Sequence, residues 1–301
     1  MSIQVVYLVL ITLIAGTVNG GLGYGFSSIT VPLALLFLSS RVLNPALVLI
    51  EVALNAYVLF VNRDALSAVW RRTLLIVVGL LPGVIAGTLI VSRVSPQWLK
   101  LWTYIVLLPV ILVQAAGYRR PIRSEKSIGV PFGFGLGVLY SVTTISGPPL
   151  AVLLNNQGFG KREFRAALGL VRLAESTFTA VAYLTAGLIT TTSIKLIPQI
   201  LPGVLVGVPL GSLLIRRVPA ETFRRVCMSF DAWIVAFGVS TVLRDIKVVE
   251  GPHAFLVLAV VVLIDAYLLW RFFKSGRPAE AAGATGRRKP EPTPFEYRSP
   301  G

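Results

Sequence analysis

The chain has 301 residues, 55% of them hydrophobic and 14% charged, with a mean hydropathy of +0.78. Soluble domains carry about 25% charged residues, so this composition excludes them and points to an integral α-helical membrane protein. A net charge of +15 would suggest nucleic acid in a soluble chain, but here Lys and Arg fill short gaps between apolar runs, where they report orientation and contact with anionic lipid.

Apolar runs fall near 3–18, 24–40, 44–61, 73–92, 98–116, 127–140, 145–155, 166–186, 193–215, 222–243 and 253–273. At ~1.5 Å per residue the longer runs cross ~30 Å of hydrocarbon. The first lacks the basic start of a cleaved signal peptide and reads as a membrane segment. The stretches 3–40 and 127–155 are each too long for one helix, and each breaks in the middle. One break is Asn19-Gly20-Gly21-Leu22-Gly23-Tyr24-Gly25; the other is Ser141-Val142-Thr143-Thr144-Ile145-Ser146-Gly147-Pro148-Pro149. Gly costs about 1 kcal/mol inside a helix and Pro about 3, so each stretch is a broken helix or a hairpin of two. From Lys274 onward the sequence has no apolar periodicity and reads as a disordered tail.

Two segments recur. Leu81-Pro82-Gly83-Val84-Ile85-Ala86-Gly87 returns as Leu201-Pro202-Gly203-Val204-Leu205-Val206-Gly207. Ala46 to Ala53 returns as Ala167 to Ala174. Both offsets are about 120 positions, the mark of an internal duplication. Arg271, Lys274, Arg287, Arg288 and Lys289 place the C-terminus in the cytoplasm. Counting backward, the cluster Arg119, Arg120, Arg123 and Lys126 is inside only if 127–155 returns to its own side as a hairpin. The same counting, with a hairpin at 3–40, leaves the N-terminus outside. The expected fold is therefore all-α and multi-pass in the plasma (inner) membrane, with two inverted repeats at 1–117 and 127–243. Each repeat is a broken or hairpin helix pair followed by three transmembrane helices. An extra helix at 253–273 and a basic cytoplasmic tail at 274–301 complete it.

Non-helical backbone at membrane depth persists only where protein buries it or a wet cavity meets it. The breaks therefore supply the candidate substrate-binding residues: Asn19, Gly21, Gly23, Tyr24, Ser27 and Ser28 from the first, Thr143, Thr144, Ser146 and Gly147 from the second. Free N–H groups at helix starts and nearby hydroxyls suit an anion; close helix packing through small residues is the competing explanation. Ionisable groups inside membrane segments cost ~2.5–3.5 kcal/mol and are functional candidates. They are Glu51, Arg172 and Glu175. Glu51 and Arg172 occupy matched positions of the duplication, so they form a structural clasp, or Arg172 holds the anion while Glu51 or Glu175 carries a coupling proton. Glu175, three residues on, is a local partner for Arg172, and snorkelling of Arg172 to the cytoplasmic surface is a third option. Asp231 reads as structural and Asp265 as a helix–helix hydrogen-bonding group. Asn19, Asn55 and Asn156 either donate to an anion or cap helices. With one Cys (Cys227) and one His (His253), no disulfide framework or Cys/His metal cluster can form, and no cofactor or metal is expected.

The run Ala15-Gly16-Thr17-Val18-Asn19-Gly20-Gly21-Leu22-Gly23-Tyr24-Gly25, closed by Thr30-Val31-Pro32, resembles the first signature of the TauE/SafE sulfite-exporter family. Gly133-Phe134-Gly135-Leu136-Gly137, ending at Gly147-Pro148-Pro149, resembles its second copy, and the Leu-Pro-Gly-x-x-x-Gly element fits in both halves. The resemblance spans roughly residues 5–243. It departs at Thr143-Thr144-Ile145-Ser146, where the family has a denser glycine run, and in the extra C-terminal helix. It implies export of sulfur-containing anions such as sulfite, sulfoacetate and other organosulfonates, and it transfers no catalytic residue. The leading expectation is thus a secondary transporter working by alternating access, with proton coupling open. The alternatives are an anion channel and a transporter of another small carboxylate or oxyanion. No Walker A or Gly-x-Ser-x-Gly pattern occurs, so an enzyme is not expected. The expected partners are a small anion and the bilayer, not nucleic acid.

Overall fold

The computed structural model describes residues 3–115, 125–157, 159–214, 217, 220–245, 248–249 and 251–274. Among them every regular element is helical: α1 (Ile3–Leu22), α2 (Phe26–Ala34), α3 (Ser40–Val61), α4 (Leu66–Arg93), α5 (Pro96–Ala115), α6 (Glu125–Thr143), α7 (Gly147–Asn156), α8 (Lys161–Thr185), α9 (Thr191–Leu214), α10 (Ala220–Asp245) and α11 (Leu256–Lys274). Among the described residues, six stretches, those carrying α1, α3, α4, α8, α9 and α11, are long and apolar enough to cross a membrane. The tail after Lys274 and the side chains of Asn156 and Asp231 lie outside the described residues.

Both long apolar stretches divide into a long helix and a short one, α1 with α2 and α6 with α7. The short helices, α2 and α7, have 9 and 10 residues. At ~1.5 Å per residue they extend ~15 Å, half the hydrocarbon thickness. Among them α2 is buried along almost its whole length.

The first helix packs along α9, and α6 packs along α4. The Leu-Pro-Gly-x-x-x-Gly element explains both contacts. Gly83 of α4 faces α6, and a Cβ there would sit 2.9 Å from the Phe134 carbonyl carbon. Gly203 of α9 faces α1, and its Cβ would sit 2.7 Å from the Leu13 nitrogen and the Val9 oxygen. Lipid gives helices no hydrophobic reason to associate, so close backbone approach through small residues supplies the dispersion contact that holds them. Between these two pairs α3 lies against α8, and α5 lies against α10, which carries α11. Ser229 donates to Asp265 Oδ1 at 3.0 Å, joining α10 to α11 as the buried carboxylate requires.

The perimeter is apolar, with Leu205, Leu263 and Ile85 exposed, while the centre holds Glu51, Arg172 and Glu175 fully buried. This inverts the pattern of a soluble bundle and puts the costly groups where other protein groups meet them.

Candidate functional site

The two breaks have the same backbone plan. α1 ends as the Gly23 N–H donates to the Asn19 carbonyl at 2.6 Å, with Gly23 at φ 84°. α6 ends as the Thr144 N–H donates to the Tyr140 carbonyl at 2.6 Å, with Thr144 at φ 59°. Glycine adopts this left-handed region freely; a β-branched residue there stores about 1–3 kcal/mol. Thr144 is the one non-glycine residue at positive φ among the described residues. The Ile145 N–H, freed by the turn, donates to Thr143 Oγ1 at 3.0 Å.

Every candidate residue named from the breaks is buried, and the breaks touch. A methyl group at Gly147 would lie 3.1 Å from the Tyr24 Cβ and 3.4 Å from Arg172 Nη1. The first break, the second break and α8 thus converge on the Arg172 guanidinium.

Glu51 and Arg172 form an ion pair: Arg172 Nη2 donates to Glu51 Oε1 at 2.8 Å, with both side chains shut off from the surface. Ser27 donates to the same oxygen at 2.6 Å, and Tyr140 donates to Oε2 at 2.7 Å. Glu175 is not the ion-pair partner of Arg172; it accepts a hydrogen bond from Ser146 instead. Glu51 satisfies Arg172 from the facing helix, which the spacing of three residues on α8 did not anticipate. Snorkelling is also ruled out, because Arg172 is 1% exposed. Below the pair, Asn55 Nδ2 donates to the Arg172 carbonyl at 3.3 Å and to Ser176 Oγ at 3.4 Å, tying α3 to α8.

The hydroxyls expected to greet an anion are largely committed elsewhere. Ser27 and Ser146 serve carboxylates, Thr143 donates to the Leu139 carbonyl at 2.7 Å, and Thr144 to the Thr143 carbonyl at 2.6 Å. The helix starts are also unequal. Pro148 and Pro149 in the first turn of α7 have no N–H, so Gly147 is the donor there, whereas Phe26, Ser27 and Ser28 all keep theirs in the first turn of α2. Among the described residues, the buried polar atoms at the centre without a partner are Arg172 Nε and Nη1, Glu175 Oε1, Asn19 Oδ1 and Thr30 Oγ1. Leaving a buried donor unpaired costs about 1–3 kcal/mol. The Arg172 guanidinium thus keeps two donor nitrogens to spare at the meeting of two backbone breaks, and a planar array of such donors has the chemistry to hold an oxyanion.

Sequence reasoning missed four side chains here. Tyr140 holds Glu51. Arg165 Nη2 donates to the Gly21 carbonyl at 2.5 Å, Asn44 Nδ2 donates to the Val142 carbonyl at 3.0 Å, and Tyr183 donates to the Ser141 carbonyl. The duplication carried a usable signal for two of them, since Arg165 stands 121 positions after Asn44, the same separation as Glu51 and Arg172.

No curated protein and no solved structure matches the chain. The family model "Sulfite exporter TauE/SafE" matches residues 8–238, from within α1 to within α10, and so takes in both breaks and the charged centre. A polytopic helical protein with this match belongs to the TauE/SafE sulfite exporter family of membrane anion transporters.

Proposed function

We propose that the protein is a secondary transporter that moves sulfite or an organosulfonate by alternating access, with Arg172 binding the anion and Glu175 carrying a coupling proton. The observation that carries this reading is the buried Arg172 guanidinium, paired once with Glu51 and with Nε and Nη1 still unbonded where the two breaks meet. On this reading two inverted repeats frame the site. Supporting it, Gly23 and Thr144 share positive φ at a separation of 121, and Glu51–Arg172 and Asn55–Ser176 join residues at that same separation of 121, as positions beside a pseudo-twofold axis do. Exchanging the halves also converts the α1–α9 contact into α6–α4.

Two matched latches fit alternating access. Asn44 grips the Val142 carbonyl and Arg165 grips the Gly21 carbonyl, and both donors and acceptors are 121 positions apart, like Glu51 and Arg172. Each fixes the break of one half to a helix of the other. Opening one while the other holds exposes the centre to one side at a time.

The proton assignment follows from the hydrogen-bond inventory. Both Glu51 oxygens already accept, from three donors in all, one of them the Arg172 cation. Glu175 Oε1 accepts none. The ionisable groups facing Glu175 are Arg172, Glu51 and Tyr140. With Glu51 and Arg172 paired, a charged Glu175 leaves the centre negative and repels an arriving anion; a proton removes that charge. Anion and proton then travel together, and export occurs when the outward anion gradient exceeds the inward pull of the protons.

Proteoliposomes with an alkaline lumen test this. A labelled sulfonate, which stays charged and does not leak through lipid, accumulates inside with the wild-type protein. A channel only equilibrates it. Glu175→Gln keeps an acceptor for Ser146 and loses the titrating group, so downhill flux persists while accumulation disappears. Unchanged accumulation by Glu175→Gln would remove Glu175 from the coupling step.

A further inference from the structure

We propose that a cavity at the start of α3 is a second anion site, a waiting position on the path to or from Arg172; the proposal rests on the transporter reading above. The cavity has a volume of about 300 Å³ and is lined by Ser40, Arg41, Asn44, Val91, Tyr183 and Thr190, among others. Arg41 is the one charged residue in the lining, so the cavity is cationic. Ser40 and Asn44 are 6% and 3% exposed, and Ser40 Oγ and Asn44 Oδ1 have no hydrogen-bond partner among the described residues. A cation, an uncommitted hydroxyl and an uncommitted acceptor fit a small oxyanion that carries a proton or a water of hydration. Arg41 and Ser40 donate to its oxygens, and Asn44 Oδ1 accepts its O–H.

Position gives this site its role. Asn44 and Tyr183 line the cavity, and their donors hold the Val142 and Ser141 carbonyls. The preceding residue, Tyr140, holds Glu51. One turn of α6 thus separates the cavity from the central ion pair. Release of the Asn44 and Tyr183 hydrogen bonds opens the way between them, and an anion already beside Arg41 is positioned to enter.

The test is calorimetric titration of the purified protein with sodium sulfite, paired with flux kinetics. The wild-type protein binds two sulfites and Arg41→Gln binds one. Arg41 is exposed, so its replacement leaves the fold intact. In proteoliposomes Arg41→Gln raises KM about tenfold, the loss of roughly one charge-assisted hydrogen bond, with little change in maximal rate. The double variant Glu51→Gln/Arg172→Gln removes the central site by neutralising both members of the ion pair together, and it retains the site that depends on Arg41. Wild-type stoichiometry and KM in Arg41→Gln would overturn the proposal, as would complete loss of binding in the double variant. Displacement of sulfite by added phosphatidylglycerol would also overturn it, by assigning the cavity to a lipid headgroup. Two sites surviving in the double variant would instead count against Arg172 and leave the Arg41 site standing.

Discussion

Arg172→Lys leaves a folded protein that transports about 100- to 10,000-fold less efficiently, measured as kcat/KM for sulfite or sulfonate flux. Two charge-assisted hydrogen bonds to the anion, at about 1.5–3 kcal/mol each, set that range. Lysine keeps a cation for Glu51 but offers a point charge on a flexible stem in place of a planar array of donors. Arg172→Ala abolishes transport as well, and it destabilises the protein because Glu51 then keeps only Ser27 and Tyr140 as partners. Removing one member of a buried pair costs about 3–5 kcal/mol. The lysine variant separates the two effects. If it carries anion at the wild-type rate, the pair is a structural clasp and the substrate binds elsewhere.

Gly83→Leu or Gly203→Leu prevents assembly of a stable protein. Their absent side chains let α4 approach α6 and α9 approach α1 with backbone atoms under 3 Å from where a Cβ would stand. Overpacking of a well-fitted contact already costs about 1–3 kcal/mol when one or two carbons are added, and here the obstacle is backbone that cannot rotate away. Gly135, two residues from the tightly packed Gly133 on α6, is the control: nothing lies within 4 Å of its would-be Cβ. Gly135→Ala gains helix propensity of about 1 kcal/mol and raises the melting temperature slightly in detergent. Thermal unfolding of the three variants, followed by size-exclusion chromatography, checks this. Equal stability of Gly83→Leu and the wild type would mean that the seam does not hold the helices.

The helices were legible because lipid imposes length and hydrophobicity on each span, and the breaks because the apolar stretches holding them are too long for one helix; Gly and Pro alone do not mark them, since α4, α6 and α9 carry both inside unbroken helices. Glu51 and Arg172 stood out because charge is costly in those segments, and the duplication paired their positions before any geometry was known. Glu175 was assigned the wrong partner, since sequence spacing reports neighbours on one helix and not the facing helix. Tyr140, Asn44, Tyr183 and Arg165 escaped for a related reason. Tyrosine is common in membrane helices, Asn44 and Arg165 sit near helix starts where capping or surface roles are ordinary, and their carbonyl partners have no sequence signature. The commitment of Thr143 and Thr144 to local backbone acceptors depends on the left-handed turn at Thr144, which no propensity for a β-branched residue foretells.

The central claim is that the substrate anion binds Arg172 between the two breaks. The most direct test is an experimental structure of the protein with selenite, a heavier analogue of sulfite, located by its anomalous scattering. The account predicts a selenium peak within hydrogen-bond reach of Arg172 Nε or Nη1, beside Gly147 and Tyr24. Well-occupied selenite elsewhere, with none at Arg172, would contradict it.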